Sequence, residues 1–375
     1  MLRTIEENLN AICRTPTVHR EELLQYVHQP EITRITYERN EYQPSPLLRS
    51  LEILVDKALY DVENDPQVKR LRMRNDLKSQ EELNKILFSG KTTPCGKELK
   101  GFVTRARVIH EELGPWAADA FIDTCVRRFR ASAFGASEDD MLVDWQTDEK
   151  KYVADVLSQL PITETKLWRS VSDPLSQKSS FLIELLAKTY TPDLRAIIFA
   201  QQRATVVMLA HLLSVHPLMT DIIPGHFVGT SSYAGRKSSL FEISHPRDQK
   251  GAIDDLRTGN KNVLVATSVL EEGIDVSACN LVICYDPPSN LRSFIQRRGR
   301  ARKEKSKLIM FFEKNNTNTE TKWIRMEEIM KEIYSDSTRM LAEIEERENA
   351  KEDGEEVFRI ESTKYVRHIS LPLSC

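Results

Sequence analysis

The sequence predicts an α/β protein in which an all-α block precedes a parallel β-sheet covered by helices on both faces, with charged helices closing the chain. Two patterns lead there. After residue 161, short and nearly continuous apolar runs alternate with amphipathic segments, as expected for buried parallel strands joined by crossover helices. Between residues 44 and 158, apolar residues recur at three- and four-residue steps instead, the period of helices packed on helices. A length of 375 residues, 40% of them hydrophobic and 29% charged, leaves room for about two or three domains with real cores and argues against wholesale disorder.

The elements follow in order. Helices are expected at 4–13 and 19–27, then a short strand at 31–37 rich in Ile and Thr. Leu47, Leu48, Leu51, Leu54, Val55, Ala58 and Leu59 mark one amphipathic helix, and Pro66 starts another. Gly90 to Gly96 breaks the run, and further helices follow near 99–113, 115–134 and 139–157. Strands are predicted at 196–200, 226–228, 263–267, 281–285 and 308–312, with helices at 175–189, 203–215, 248–257 and 290–298. Ligands of such sheets bind outside the carboxyl ends of the strands, where polar residues such as Gln201, Gly229, Thr230, Thr267, Ser268 and Asp286 collect. Residues 320–348 read as one or two charged helices with an apolar stripe of Trp323, Met326, Ile329, Met330 and Ile333. Gly354 ends that pattern, and the remaining tail has little of its own.

Charge and cysteine usage exclude several classes. No apolar run approaches the roughly 18 residues that span a bilayer. The charged start MLRTIEENLN lacks the apolar core of a secretory signal, so cytosol or nucleus is the expected compartment. Six scattered cysteines form no C-x-x-C pair, which argues against a disulfide framework and against structural zinc. His110-Glu111-Glu112 lacks the second histidine of a metalloprotease helix. Net charge is only −3, yet residues 297–307 (RRGRARKEKSK) are strongly basic. Such a block is either a local anion site or a solvated helix face.

Chemistry concentrates between Thr267 and Arg302. TSVLEEGIDV follows a strand, CNLVICYDPP contains the next, and SFIQRRGRAR closes the set. On a helix Arg292, Gln296 and Arg300 share a polar face opposite Leu291, Phe294 and Ile295, and Gly299 suits a helix end. Arg300 and Arg302 are then expected to project near the strand ends. Guanidinium keeps its charge and forks onto phosphate oxygens, as stabilising a transferring phosphoryl group requires.

ATSVLEEGID, CNLVICYD and IQRRGRAR closely resemble motifs V and VI of superfamily 2 helicases, nearest the Dicer group. RAIIFAQQRATV resembles motif IV, and GHFVGTSS the RNA-contacting loop that follows it. The resemblance covers about residues 4–345. It implies a remnant or linker from a first helicase domain (1–43), a helical insertion domain (44–160), a RecA-like second helicase domain (161–315), pincer helices (316–350) and a tail (351–375). By the same resemblance Gly273 and Asp275 contact nucleotide, Asp275 near the ribose. Gln296, Arg300 and Arg302 form the catalytic set, the two arginines acting as fingers on the γ-phosphate. Gly229, Thr230, Thr267 and Ser268 hold the RNA sugar–phosphate backbone without reading sequence. The implied ligands are ATP with magnesium, held mainly by a first RecA-like domain supplied in cis or in trans, and double-stranded RNA. RNA silencing and antiviral defence in the cytoplasm are implied by resemblance alone.

Departures from the family pattern matter equally. Ser89-Gly90-Lys91-Thr92 does not make a P-loop, because position 85 is Lys rather than Gly. There is no D-E-x-[DH] box, and none of the acidic RNase III signature. Glu138-Asp139-Asp140 reads as a helix start. The basic segments Lys69–Lys78 and Arg127–Arg130 suit duplex RNA or a solvated helix face equally. Two readings stand: the arginine-bearing half of a Dicer-type helicase, with negligible turnover alone, or a non-catalytic RNA-binding or regulatory module that competes for RNA or protein partners.

Overall fold

A computed structural model describes residues 28, 30–39, 41–74, 76–133, 145–162, 175–229, 239–240, 251–271 and 279–314, with Arg325 and Ile329 besides. The helices expected at 4–13 and 19–27, that at 320–348 apart from Arg325 and Ile329, the acidic helix start at 138–140 and the tail lie outside the described residues, as do Thr230, Gly273 and Asp275.

The helical block comprises α1 (Pro46–Tyr60), α2 (Pro66–Met73), α3 (Leu77–Phe88), α4 (Pro94–Leu113), α5 (Pro115–Ala133) and α6 (Thr147–Leu157). Four of these start on proline, whose fixed φ and missing N–H suit the first helical turn. Ser45, Asp65 and Thr93 cap three of them by accepting from Leu48, Gln67 and Gly96 N–H respectively. The break expected at 90–96 is narrower than that: Thr93 already caps α4, and Gly96 lies inside it. A Cβ on Gly96 would come within 3.0 Å of the Leu59 side chain, so glycine there permits close packing of α4 on α1.

Six parallel strands make one sheet: β1 (Glu31–Tyr37), β2 (Ala196–Phe199), β3 (Pro224–Phe227), β4 (Val263–Ala266), β5 (Leu281–Cys284) and β6 (Lys307–Glu313), in the order β1-β6-β5-β2-β4-β3. Helices α7 (Gln177–Thr189), α8 (Arg203–Val215), α9 (Ala252–Thr258) and α10 (Leu291–Arg298) lie between strands in the chain. The strand expected at 226–228 sits two residues earlier, at Pro224–Phe227. Strand β1 is the strand expected at 31–37, within the segment 1–43. It pairs in register with β6, Glu31 opposite Lys307 and Tyr37 opposite Glu313, and so forms an edge of this sheet. Nothing local in the sequence announces a partner some 270 residues away.

Alternation along the strands divides the core. Ile197, Phe199, Leu264, Val282, Cys284, Leu308 and Met310 face α9 and α10, where Leu256 and Phe294 are buried. Ala196, Ile198, Val263, Val265, Ile283 and Phe311 face the other way, into one apolar cluster that also holds Leu182 of α7, Leu209 of α8, and Phe102 and Phe121 of the helical block. The block and this face of the sheet therefore share a continuous core.

Candidate functional site

Three of the expected backbone-binding positions, Gly229, Thr267 and Ser268, meet at the carboxyl ends of β3 and β4. Thr267 N–H donates to the Phe227 carbonyl, and the Thr267 side chain is buried. Ser268 opens a 3-10 turn, Ser268–Leu270, and is exposed. A Cβ built on Gly229 would lie 3.6 Å from Val269 in that turn, so Gly229, Thr267 and Ser268 form one patch.

Glu271 ends the same turn and joins it to α10. Its carboxylate accepts from Arg297 Nε and from Ser293 Oγ, both at 2.7 Å. Arg297 is 2% exposed, donates Nη1 to the Asp286 carbonyl at 2.7 Å, and lies 4.9 Å above the Phe199 ring. One arginine of the basic run is thus spent on holding α10 to the sheet. The sequence offered a signal for it: residue 297 falls three and four positions from the apolar Phe294 and Ser293, on the inward face of α10.

Arg300 and Arg302 stand differently. Arg300 is half-buried and donates Nη2 to the Glu271 carbonyl at 3.0 Å. Arg302 is exposed, with Nε donating to Gly299 O at 2.8 Å. Gln296 is half-buried one residue before Arg297. The Arg300 carbonyl accepts from Cys279 N–H, two residues ahead of β5, and Ala301 bridges Cys279 in parallel. Its backbone therefore sits at the amino end of β5, because α10 leaves the carboxyl end of that strand and runs back along the sheet. Only the guanidinium reaches towards Glu271. Gly299 is the C-cap of α10, the helix end expected there, with φ of −65° in the right-handed region. A Cβ there would lie 3.3 Å from the Ile295 carbonyl, a tight contact.

A second polar cluster sits where the helical block meets the sheet. Lys178, on α7, has a side chain only 3% exposed. Its ammonium donates to Asp286 Oδ1 at 2.8 Å and to the Glu112 carboxylate, and lies 4.2 Å above the Tyr285 ring. Burial opposes the charge, but Asp286 and Glu112 outweigh it and hold the Lys178 ammonium above the usual lysine range. Burial raises the Glu112 carboxyl above its ordinary value. Tyr285 Oη donates to the Glu112 carbonyl at 2.6 Å, and the Ser176 and Ser179 hydroxyls close the same helix end. Asp286 Oδ2 accepts from Gln201 N–H at 2.7 Å. Sequence reading missed Lys178. Its position four residues before buried Leu182 places it on the inward face of α7.

Several basic residues considered for RNA are committed elsewhere. Arg70 pairs with Asp148 at 2.6 Å and Glu149 at 2.9 Å, Arg72 with Glu63, and Arg127 with Asp123 at 2.8 Å. Lys69, Arg74, Lys78 and Arg130 remain exposed.

The chain thus combines a RecA-like parallel sheet, a strand-end turn locked to an arginine helix, and a helical block that shares a core with one sheet face. Residues 177–305 match the helicase conserved C-terminal domain family. Along 96% of its length the chain is similar to the fungal Dicer-like proteins and corresponds to the C-terminal part of their helicase region. It is 43% identical over 362 residues to Dicer-like protein 2 of Coccidioides immitis, 41% over 368 residues to that of Aspergillus terreus, and 35% over 369 residues to that of Neurospora crassa. The chain spans about a quarter of the length of these relatives (25%, 26% and 23%). The solved Hef helicase domain of Pyrococcus furiosus aligns with 85% of this chain and 63% of its own at 21% identity, with a TM-score of 0.36. Among the described residues no helix is long and apolar enough to cross a membrane.

Proposed function

We propose that this chain supplies the RNA-gripping and arginine-finger half of an ATP-driven motor that moves on double-stranded RNA, the other half being a first RecA-like domain in cis or in trans. The observation that carries the reading is Glu271. Its turn begins at Ser268 on the backbone-binding patch and ends by receiving Arg297 on its carboxylate and Arg300 on its carbonyl. A shift of RNA against Ser268 and Thr267 is thereby felt at the arginines within one 3-10 turn.

The residues fit phosphate. A guanidinium has five donors in a planar fork and no acceptor, so Arg300 and Arg302 present charge and N–H groups to a γ-phosphate. Developing charge on a transferring phosphoryl group is what such donors stabilise. The described residues around α10 do not offer a magnesium site: the carboxylate nearest the arginines, Glu271, is engaged by Arg297 and Ser293. A first RecA-like domain would hold the magnesium, which would supply positive charge to the phosphates. Gly273 and Asp275 are proposed to meet nucleotide and Thr230 to meet RNA with its three neighbours, in keeping with the family resemblance.

The test combines this chain with a separately made first motor domain and duplex RNA and measures ATP turnover. Turnover should appear only with both parts, rise with RNA, and fall by about 10³-fold or more in Arg300→Ala. RNA binding without any turnover would favour the regulatory reading. Full turnover in Arg300→Ala would refute the finger.

A further inference from the structure

We propose that Lys178 is a positioning residue that couples the helical block to the arginines after α10. The Glu112 carboxylate, on the last turn of α4, receives the Lys178 ammonium. Lys178 donates onward to Asp286 Oδ1 at 2.8 Å, and the Asp286 carbonyl takes Arg297 Nη1 at 2.7 Å. Arg297 Nε reaches Glu271 at 2.7 Å, and the Glu271 carbonyl holds Arg300 at 3.0 Å. Five hydrogen bonds thus run unbroken from the helical block to Arg300. Asp286 is the branch point, because its second carboxylate oxygen also fixes Gln201 N–H after β2.

Lys178 has features a merely packed lysine would not need. Its ammonium is buried between two carboxylates and the rings of Tyr285 and Tyr37, at 4.2 and 5.2 Å from their centroids. An apolar side chain would fill the same space without a desolvation cost. What an ammonium adds is direction, since it ties one acid of the helical block to one acid of the sheet. RNA pressing on the helical block would then reach Arg300 through fixed groups rather than through the shared apolar core alone.

The functional part of this inference rests on the motor reading, and the positional part does not. The test variant is Lys178→Met with Glu112→Gln, which keeps volume and leaves no carboxylate orphaned at α4. In the chain by itself, backbone hydrogen exchange should quicken by about tenfold across residues 286–302, about 1.4 kcal/mol of lost local protection, and stay unchanged in α3. Unchanged exchange at 286–302 overturns the proposal. With the first motor domain and duplex RNA, kcat should fall by about tenfold at nearly constant KM for ATP. That cost should vanish when Arg300→Ala is already present, because both changes act on one group. A simple loss of stability would lower activity equally in either background, and equal losses would overturn the coupling. If the unmodified assembly shows no turnover, the motor reading fails, while the exchange experiment still decides the place of Lys178.

Discussion

Glu271→Gln tests how α10 is held. The substitution keeps the shape of the side chain and removes its charge, leaving Arg297 in a site where its side chain is 3% exposed and that of Glu271 9%. Among the other partners of Arg297 are the Asp286 carbonyl at 2.7 Å and the Phe199 ring. Neither balances a full positive charge. Breaking a buried pair by removing one partner costs about 3–5 kcal/mol, whereas replacing both partners with groups of similar volume is often close to neutral. At about 2–4 °C per kcal/mol for a domain of 150–250 residues, Glu271→Gln should lower the midpoint of thermal unfolding by about 6–20 °C. Arg297→Met should cost a similar amount, and the double variant clearly less than the sum. Urea unfolding followed by circular dichroism on all four proteins gives the coupling energy directly. A Glu271→Gln protein that unfolds with the wild type, or a double variant whose losses simply add, would refute the claim that this ion pair pins α10.

Two further outcomes follow from burial and backbone geometry. Gly114 has φ of 106°, and a Cβ there would lie 2.9 Å from the Leu175 Cα, so Gly114→Ala should destabilise the protein by about 1–3 kcal/mol; an unchanged unfolding midpoint would show that the chain passes this corner differently. Burial pushes the Cys279 thiol up to about 12 and raises that of Cys284 as well, so alkylation at pH 8 followed by peptide mapping should find both unmodified in the native protein and modified in urea; native labelling within minutes would contradict their place in the core.

The amino-acid sequence by itself determined the architecture. The change from a 3.6-residue apolar period to short continuous apolar runs near residue 161 marks where helices packed on helices give way to strands buried on both faces. Apolar periodicity and the run from Thr267 to Arg302 placed most helices and the arginine-bearing segment, because these signals are local. Tertiary structure alone decided what each polar residue does. The sequence contains a row of similar arginines; folding buries Arg297 against Glu271, leaves Arg302 exposed, and turns Arg300 back from the amino end of β5. It spends Arg70 on Asp148 and Arg72 on Glu63, carboxylates that no helical spacing rule pairs with them. It also brings β1 beside β6 and Lys178 between Glu112 and Asp286. Apolar periodicity survives in one dimension because neighbours along a helix or strand share a face. The partner of a charge or of an edge strand depends on which distant segment arrives beside it, and only the packed chain sets that distance.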